Sequence, residues 1–214
     1  MSALAEIIRS VAAAVVAARD ELNRLDGVAG DGDLGITMGA AAEAATEAVN
    51  RSEGDAPDVL LRRLGLAIAA KAPSTGGTLL ASALLGAARV APEEDESVVA
   101  GIARRVRAAQ LAIEARGGAK VGDKSMLDAL VPAVEALDRD ARAEEPLHEA
   151  LAHAAAAAQD GAWATKGLTP RVGRAGWLVE RSIGSEDAGA HLVALVFAAA
   201  AHSATPRAPD RERS

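Results

Sequence analysis

The sequence contains no cysteine and no tyrosine, and its aromatic side chains are limited to Trp163, Trp177 and Phe197. The absence of cysteine excludes a disulfide framework, a zinc–thiolate site and a thiol nucleophile. Because strands are rich in aromatic and β-branched residues, the scarcity of rings argues against a β-sandwich. By contrast, 55 of the 214 residues are alanine, which favours helices. Length and composition together predict a single all-α domain.

Long hydrophobic runs and clustered positive charge are missing as well. The longest apolar stretch, residues 192–201, has about half of the ~20 residues that a membrane span needs. Near the N-terminus, Glu6 and Arg9 interrupt any run that could act as a signal peptide. The formal net charge of −7 argues against a nucleic-acid-binding surface. We therefore expect a cytoplasmic protein with neither a membrane nor a nucleic acid as partner.

Hydrophobic periodicity, prolines and glycines predict an antiparallel α-barrel or bundle of eight helices. These are residues 3–25, 36–50, 58–71, 77–91, 92–116, 124–139, 147–163 and 190–203. A short additional helix is expected near 177–181. The predicted domain covers residues 1–203 and is followed by a disordered charged tail, 204–214.

Alternate connections of an up-and-down array lie at the same end of the molecule. The connections after the first, third, fifth and seventh predicted helices are residues 26–35, 72–76, 117–123 and 164–189. These are the four segments that combine glycines with chemically unusual side chains, whereas the others look like ordinary surface turns. The sequence therefore predicts that one rim carries the function.

The first of these segments brings together three carboxylates, Asp26, Asp31 and Asp33, separated by glycines. Converging carboxylates repel one another, and a bound divalent cation relieves that repulsion. An oxygen-only, partly open site suits Mg²⁺ that is shared with phosphates. The spacing is not that of an EF-hand, because Ala42 stands where its bidentate glutamate belongs. A solvated acidic turn is the alternative interpretation.

The second and third segments are rich in glycine and hydroxyl groups. The second consists of Ser74, Thr75, Gly76, Gly77 and Thr78. Backbone amides at a helix start can bind phosphate, and an ordinary N-cap is the alternative. The third, residues 117–125, is similar to a P-loop, but Asp123 stands between Gly122 and Lys124 and no strand precedes it. We reject a Walker A assignment, and a flexible loop that could enclose a nucleotide base remains.

The fourth segment gathers positive charge in an acidic chain, through Lys166, Arg171, Arg174 and Arg181. A guanidinium group can bind phosphate with two hydrogen bonds or stabilise charge during phosphoryl transfer. Solvated loop cations are the alternative, and this alternative suits Lys166 and Arg171 better than Arg174. We expect Trp163 and Trp177 to be packing anchors.

The order of these motifs resembles the L subunit of dihydroxyacetone kinase over residues 3–201. The matching segments are Leu25-Asp26, Gly30-Asp31-Gly32-Asp33-x-Gly35, the run from Gly122 to Leu130, Gly173-Arg174-Ala175 and Glu180-Arg181-Ser182. Asp187-Ala188-Gly189-Ala190 is similar to the closing Asp-Pro-Gly-Ala element of that family. The resemblance implies an eight-helix α-barrel with a nucleotide site at one rim.

The resemblance also implies roles for individual residues. Two Mg²⁺ ions would be held by Asp26, Asp31 and Asp33 and would bridge the phosphates of ATP or ADP. Arg174 would be the catalytic residue that faces the transferred phosphate. The other residues implied to bind the nucleotide are Ser74, Thr75, Gly76, Gly77, Thr78, Gly122, Asp123, Met126, Asp187 and Gly189.

In that family the ketose is held by a separate K subunit that docks on the rim. The implied activity is transfer of phosphate from Mg-ATP to an alcohol group of dihydroxyacetone or a similar short ketose. Some relatives instead retain ADP, which a phosphotransferase-system phosphocarrier recharges. Gly32 and Thr37 favour the ATP-using branch, whereas Leu34 replaces the usual His, Cys or Thr and residues 73–78 depart from the Gly-Gly-Ser-Ser-Gly-Ala pattern.

Two non-catalytic alternatives stay open at this point. The chain could be a nucleotide-sensing regulatory partner, or a helical adaptor whose loops are only turns. A homodimer is possible, and the sequence does not show how many copies assemble. Nucleotide binding that requires Mg²⁺ would separate the sensor from the adaptor, and activity with a K-type partner would separate the kinase from both.

Overall fold

Helices follow one another along the chain in a computed structural model that describes residues 3–52, 54–173 and 179–206. They are α1 (Ala3–Ala17), α2 (Arg19–Ala29), α3 (Leu34–Asn50), α4 (Pro57–Lys71), α5 (Thr75–Ala87), α6 (Val98–Gly117), α7 (Leu127–Arg142), α8 (Leu147–Ala164), α9 (Val179–Ser182) and α10 (Ala188–Ala204). A 3₁₀ turn, Thr165–Gly167, follows α8. These ranges contain no strand, so the all-α prediction is confirmed.

The long helices form a closed antiparallel ring. Each one packs against its neighbours in the sequence, and α10 packs back against α1 as well as against α8. Across the closing seam, the hydroxyl of Ser10 in α1 donates to the carbonyl of Ala199 in α10 at 3.3 Å. The connections that follow α2, α4, α6 and α8 therefore lie at one end of the ring.

Small side chains set the distance between the helices. The buried face of α8 is a stripe with four-residue spacing, made of Ala150, Ala154, Ala158 and Ala162. Gly161 comes still closer to α7, because a Cβ there would lie 2.2 Å from the carbonyl oxygen of Asp128. That carbonyl has no helical donor four residues later, since Pro132 lacks an N–H. Alanine and glycine thus let α8 approach α7 and α10 closely.

Larger apolar side chains fill the space between the helices. The largest cluster joins α5, α6, α7, α8 and α10 around Leu127, Val134, Leu137 and Phe197. Smaller clusters join α1, α3 and α4, and α1, α2, α3 and α10. None of the described helices combines the length with the apolar character that crossing a bilayer requires.

The first predicted helix differs from the structure in two ways. It is interrupted at Ala18, which separates α1 from α2, and it continues past residue 25 to Ala29. Asp26 is therefore on the last turn of a helix rather than in a loop. The connection that carries the glycines and the other two aspartates is reduced to residues 30–33.

Three other helix starts also differ from the prediction. α5 begins at Thr75 and ends at Ala87, so the connection to α6 runs from residue 88 to 97. Pro92 does not start α6: Ser97 caps it by accepting a hydrogen bond from the amide of Ala100 at 3.2 Å. α7 begins at Leu127 because Lys124, with φ 60°, is left-handed and cannot be helical.

The C-terminal predictions are met in part. α9 occupies residues close to the short helix expected at 177–181, and α10 extends by two residues to the N-terminal side and by one to the C-terminal side. The predicted tail begins inside α10, at Ala204, and residues 207–214 lie outside the described part of the chain.

Candidate functional site

Asp26, Asp31 and Asp33 meet where α2 ends and α3 begins. Each offers one carboxylate oxygen, and the three oxygens lie within 4.8 Å of one another. Asp26 is half-buried, whereas Asp31 and Asp33 are exposed. An oxygen-only cluster at this spacing fits a hard divalent cation such as Mg²⁺. The structure brings the three residues together as the sequence predicts, while their role as ligands stays a prediction.

The loop between α2 and α3 is folded around the Asp26 carboxylate. Oδ2 of Asp26 accepts hydrogen bonds from the amides of Gly32 at 2.8 Å and Asp33 at 3.1 Å. On the other side, a Cβ at position 30 would lie only 2.3 Å from Oδ1 of Asp26, so Gly30 is the residue that allows this approach. The loop thereby places the carboxylate of Asp26 next to those of Asp31 and Asp33.

Asn23 is a functional candidate that the sequence analysis missed. Its Oδ1 accepts hydrogen bonds from the amides of Gly35 at 2.8 Å and Ile36 at 3.2 Å, so a side chain of α2 caps α3. Asp33, at the N-cap position itself, makes no capping hydrogen bond through its side chain. Asparagine is a preferred capping residue, but its separation from α3 in sequence hides this role. Asn23 fixes the start of α3 immediately after the acidic cluster.

The start of α5 is the second part of the rim. The hydroxyl of Ser74 accepts the amide of Gly77 at 3.0 Å, and the carbonyl of Ser74 accepts the amide of Thr78 at 2.9 Å. Ser74 is therefore an N-cap, as the alternative interpretation held. In the geometry of a helix start, the amides of Thr75 and Gly76 are the ones left for a bound anion.

The first two rim segments touch each other. A Cβ at Gly76 would lie 3.2 Å from Cδ1 of Leu34 and 3.3 Å from Cε of Met38, both in α3. Leu34, which departs from the resemblance, thus packs between the acidic cluster and α5 and adds no polar ligand. The neighbouring Gly77 is required by the turn, because its Cβ would lie 1.9 Å from the carbonyl oxygen of Ala72.

The third segment is held by its own carboxylates. Asp128 accepts the amides of Gly122 at 2.5 Å and Ser125 at 2.7 Å, and Asp123 accepts the amide of Lys120 at 2.8 Å. A Cβ at Gly122 would meet no atom within 4 Å, so this edge of the loop faces open space.

The fourth segment is joined to the third by several contacts. The amide of Arg171 donates to the carbonyl of Asp123 at 3.0 Å, and a Cβ at Gly189 would lie 3.3 Å from that of Met126. The ammonium group of Lys124 donates to the carbonyls of Thr165 and Ser185, both at 2.8 Å. The predicted residues Asp123, Met126 and Gly189 are therefore neighbours.

Asp187 has a structural role in the described part of the rim. Its carboxylate caps α10 by accepting the amide of Ala190 at 2.8 Å. The residue is half-buried by surface area, whereas its carboxyl group is surrounded by protein. This burial raises the pKa of Asp187 to about 6; Asp128 adds to the rise, and the amide of Ala190 and Lys124 oppose it. The part of Asp187 in nucleotide binding stays a prediction.

The outer edge of the fourth segment carries an exposed ring. Trp163 is 63 % exposed, so its expected role as a packing anchor is wrong, and the Lys166 ammonium lies 3.1 Å from its ring centroid. Beside it, a cavity of about 490 Å³ separates α2 from the fourth segment; Glu21, Arg24, Lys166 and Glu186 are among its lining residues. Arg174, the predicted catalytic residue, and Trp177 lie outside the described residues.

Residues 28–202 match the family model of the DAK2 domain. The chain belongs to the DAK2 domain family. Its resemblance to the L subunit of dihydroxyacetone kinase is thereby confirmed, and the relatives of this DAK2 domain are kinases.

Relatives of this DAK2 domain differ in length. It is 43% identical over 198 residues to D-erythrulose kinase of Mycolicibacterium smegmatis, a match that covers 90% of this chain and 33% of that protein. It is 32% identical to the ADP-binding subunit DhaL of PEP-dependent dihydroxyacetone kinase 1 of Listeria innocua, covering 82% of this chain and 83% of that protein. The chain thus spans about a third of the erythrulose kinase and most of the DhaL subunit.

A solved structure has the same fold. The dihydroxyacetone kinase from C. freundii in complex with AMP-PNP and Mg²⁺ is similar with a TM-score of 0.75 at 27% sequence identity. The match covers 95% of this chain and 34% of that one. The all-α ring is therefore a fold that this DAK2 domain shares with part of that kinase.

Proposed function

We propose that this DAK2 domain is the nucleotide-binding part of a dihydroxyacetone-type kinase. It would transfer phosphate from Mg-ATP to an alcohol group of a short ketose, either dihydroxyacetone or erythrulose. The observation that carries the proposal is the convergence of Asp26, Asp31 and Asp33 beside the start of α5. A carboxylate cluster next to open helix amides is the combination that binding a metal–phosphate group requires.

Different residues would bind different parts of the nucleotide. Mg²⁺ at the three aspartates would neutralise phosphate charge, which is the main requirement of phosphoryl transfer. The amides of Thr75 and Gly76 would orient a phosphate at the α5 N-terminus, and Gly122 and Met126 would border the base. Arg174 would stabilise charge on the transferred group, a role that rests on the sequence alone.

The ketose would be held outside this domain, by a K-type subunit. The match covers only 33% of the erythrulose kinase, so the rest of that protein is long enough to contain a ketose-binding unit. The match to the DhaL subunit covers 83% of that protein, which is named as the ADP-binding subunit of its kinase. By analogy, the ketose-binding unit would dock on the rim of this DAK2 domain.

A second candidate has its own support. The L. innocua relative is named as an ADP-binding subunit of a PEP-dependent kinase, so this chain could retain ADP that a phosphocarrier recharges. The two candidates differ in phosphate donor. Turnover of dihydroxyacetone with a K-type subunit and ATP alone supports direct use of ATP. Turnover that needs PEP and phosphotransferase proteins supports the second candidate.

Calorimetric titration of the chain with ADP, with and without Mg²⁺, tests the nucleotide site. We expect binding that requires Mg²⁺ and that is lost in Asp31→Asn, because one negative charge of the cluster is removed. With a K-type partner the same change should lower the rate by roughly 10³-fold or more, as for other charge-stabilising groups in phosphoryl transfer.

The control for this titration is Asp58→Asn. Asp58 lies in the first turn of α4, at the opposite end of the ring, and its substitution should leave ADP affinity unchanged. Far-UV circular dichroism should show the same helix content in both variants. Wild-type affinity in Asp31→Asn would overturn the metal assignment.

A further inference from the structure

A buried cation lies between two of the rim segments and takes no part in the proposed transfer. Lys124 is only 3 % exposed, and its ammonium donates to the carbonyls of Thr165 and Ser185, at 2.8 Å each. These acceptors are far away in the sequence and belong to the segment between α8 and α10. A single side chain therefore ties the third rim segment to both ends of the fourth.

The backbone of Lys124 adopts a conformation that is unusual for a residue with a side chain. Its φ of 60° is left-handed, a conformation that glycine adopts readily and that residues with a Cβ rarely adopt. Glycine is used for the left-handed positions at 118 and 122 of the same loop. Position 124 has a lysine in a backbone conformation that suits glycine, and its side chain points inward.

The surroundings favour a cation at this point. Thr165 follows the last residue of α8, where the helix dipole is negative. Burial lowers the pKa of Lys124, and the nearby carboxylate of Asp187, the N-cap of α10, opposes this shift by attracting the ammonium. The carboxylate of Asp128 is a second negative group near Lys124, because its charge raises the pKa of Asp187. Lys124 thus links the ends of two helices that are part of the main core.

We propose that Lys124 is the positioning residue of the nucleotide loop, residues 118–126. Its ammonium holds this loop against Thr165 and Ser185, so the side of the site that borders the base is formed before the nucleotide binds. Asp123 precedes Lys124 directly and Met126 is two residues later, so both follow its position. The inference rests on the proposed function and names the residue that prepares that site.

Three substitutions separate charge from backbone conformation. Lys124→Gly relieves the left-handed backbone and removes the ammonium, Lys124→Met removes the charge but keeps the length, and Lys124→Arg keeps the charge. Each variant is titrated with ADP in the presence of Mg²⁺, and with Mg²⁺ alone as a probe of the aspartate cluster. Thermal unfolding without ligand measures stability.

We expect Lys124→Gly and Lys124→Met to bind ADP roughly tenfold more weakly or worse. If only about a tenth of the molecules have the loop in its binding conformation, the apparent affinity for ADP falls by the same factor. Binding of Mg²⁺ alone should be unchanged, since the aspartates lie in the first rim segment. Lys124→Arg should recover part of the affinity for ADP.

The other outcomes overturn the inference in distinguishable ways. A wild-type chain that does not bind Mg-ADP would remove the proposed function and the inference with it. Wild-type affinity in Lys124→Gly and Lys124→Met would remove the inference alone. Failure of these variants to fold, or parallel losses of ADP affinity, Mg²⁺ affinity and melting temperature, would make Lys124 a helix cap and not a positioning residue.

Discussion

At the scale of single residues, the distance between α2 and α3 is set by the hydrogen atom that replaces a Cβ at position 35. A Cβ at Gly35 would lie 2.0 Å from the carbonyl oxygen of Arg19 and 2.8 Å from Oδ1 of Asn23. Gly39, one turn later in α3, has no atom within 4 Å of the corresponding position. The first glycine is therefore required by a close approach and the second is not.

This contrast predicts opposite effects for two equal substitutions. Gly35→Ala should lower the free energy of unfolding by about 1–3 kcal/mol, because α3 must move away from α2. Gly39→Ala should raise it by about 0.5–1 kcal/mol, since alanine is the better helix former and has room. Urea unfolding measures both. Equal stabilities for the two variants would show that the α2–α3 distance does not depend on Gly35.

The residue scale also shows where local sequence is informative. The spacing of Asp26, Asp31 and Asp33 was sufficient to predict their convergence, because glycines between them leave the chain free to turn. The roles of Asn23 and Lys124 were not predictable. Asn23 bonds to amides 12 and 13 residues away, and Lys124 to carbonyls 41 and 61 residues away.

At the scale of helices, serine residues decide two starts at opposite ends of the ring. Ser74 caps α5 on the functional rim, and Ser97 caps α6 on the other rim. Pro92 and the acids after it are a good helix start by composition, but Asp95 is left-handed with φ 60°. Asp95 interrupts a helix from Pro92, and the hydroxyl of Ser97 accepts the amide of Ala100, so α6 begins at Val98.

The two caps are a matched pair for testing the α5 N-terminus. Ser74→Ala and Ser97→Ala should each lower the free energy of unfolding by about 1 kcal/mol, the usual cost of a lost N-cap. Only Ser74→Ala should also weaken Mg-dependent ADP binding, because it loosens the amides of Thr75 and Gly76. Calorimetry and urea unfolding separate the effects, and an equal loss of ADP affinity in Ser97→Ala would contradict a phosphate site at α5.

At the scale of the whole molecule, ring closure depends on how closely the helices pack. The alanine stripe of α8 is buried between α7 and α10, and α10 closes the ring against α1. A shift of α10 away from α8 therefore disturbs its contact with α1. It also disturbs the rim segments that are connected to α8 and α10. The small side chains of α8 are therefore required by the closed ring and not by the stability of that helix alone.

Enlarging one alanine of the stripe tests this dependence. Ala154→Leu should lower the free energy of unfolding by about 1–3 kcal/mol through overpacking. Ala156→Leu, on the exposed face of the same helix, should change it by less than about 0.5 kcal/mol. Urea unfolding with a circular dichroism signal measures the difference. Similar stabilities for the two variants would indicate that α8 is not tightly held by its neighbours.

The sequence by itself determined the class of fold, most of the long helices, the rim on which the unusual segments meet and the convergence of the three aspartates. These follow from periodicity, from the alternation of antiparallel connections and from the order of the motifs, all of which are local or additive along the chain. Only the tertiary structure decided that Trp163 is exposed and that Asn23 and Lys124 bond to segments far away in the sequence. Those features depend on hydrogen bonds and contacts between distant segments, which exist only after the ring has closed.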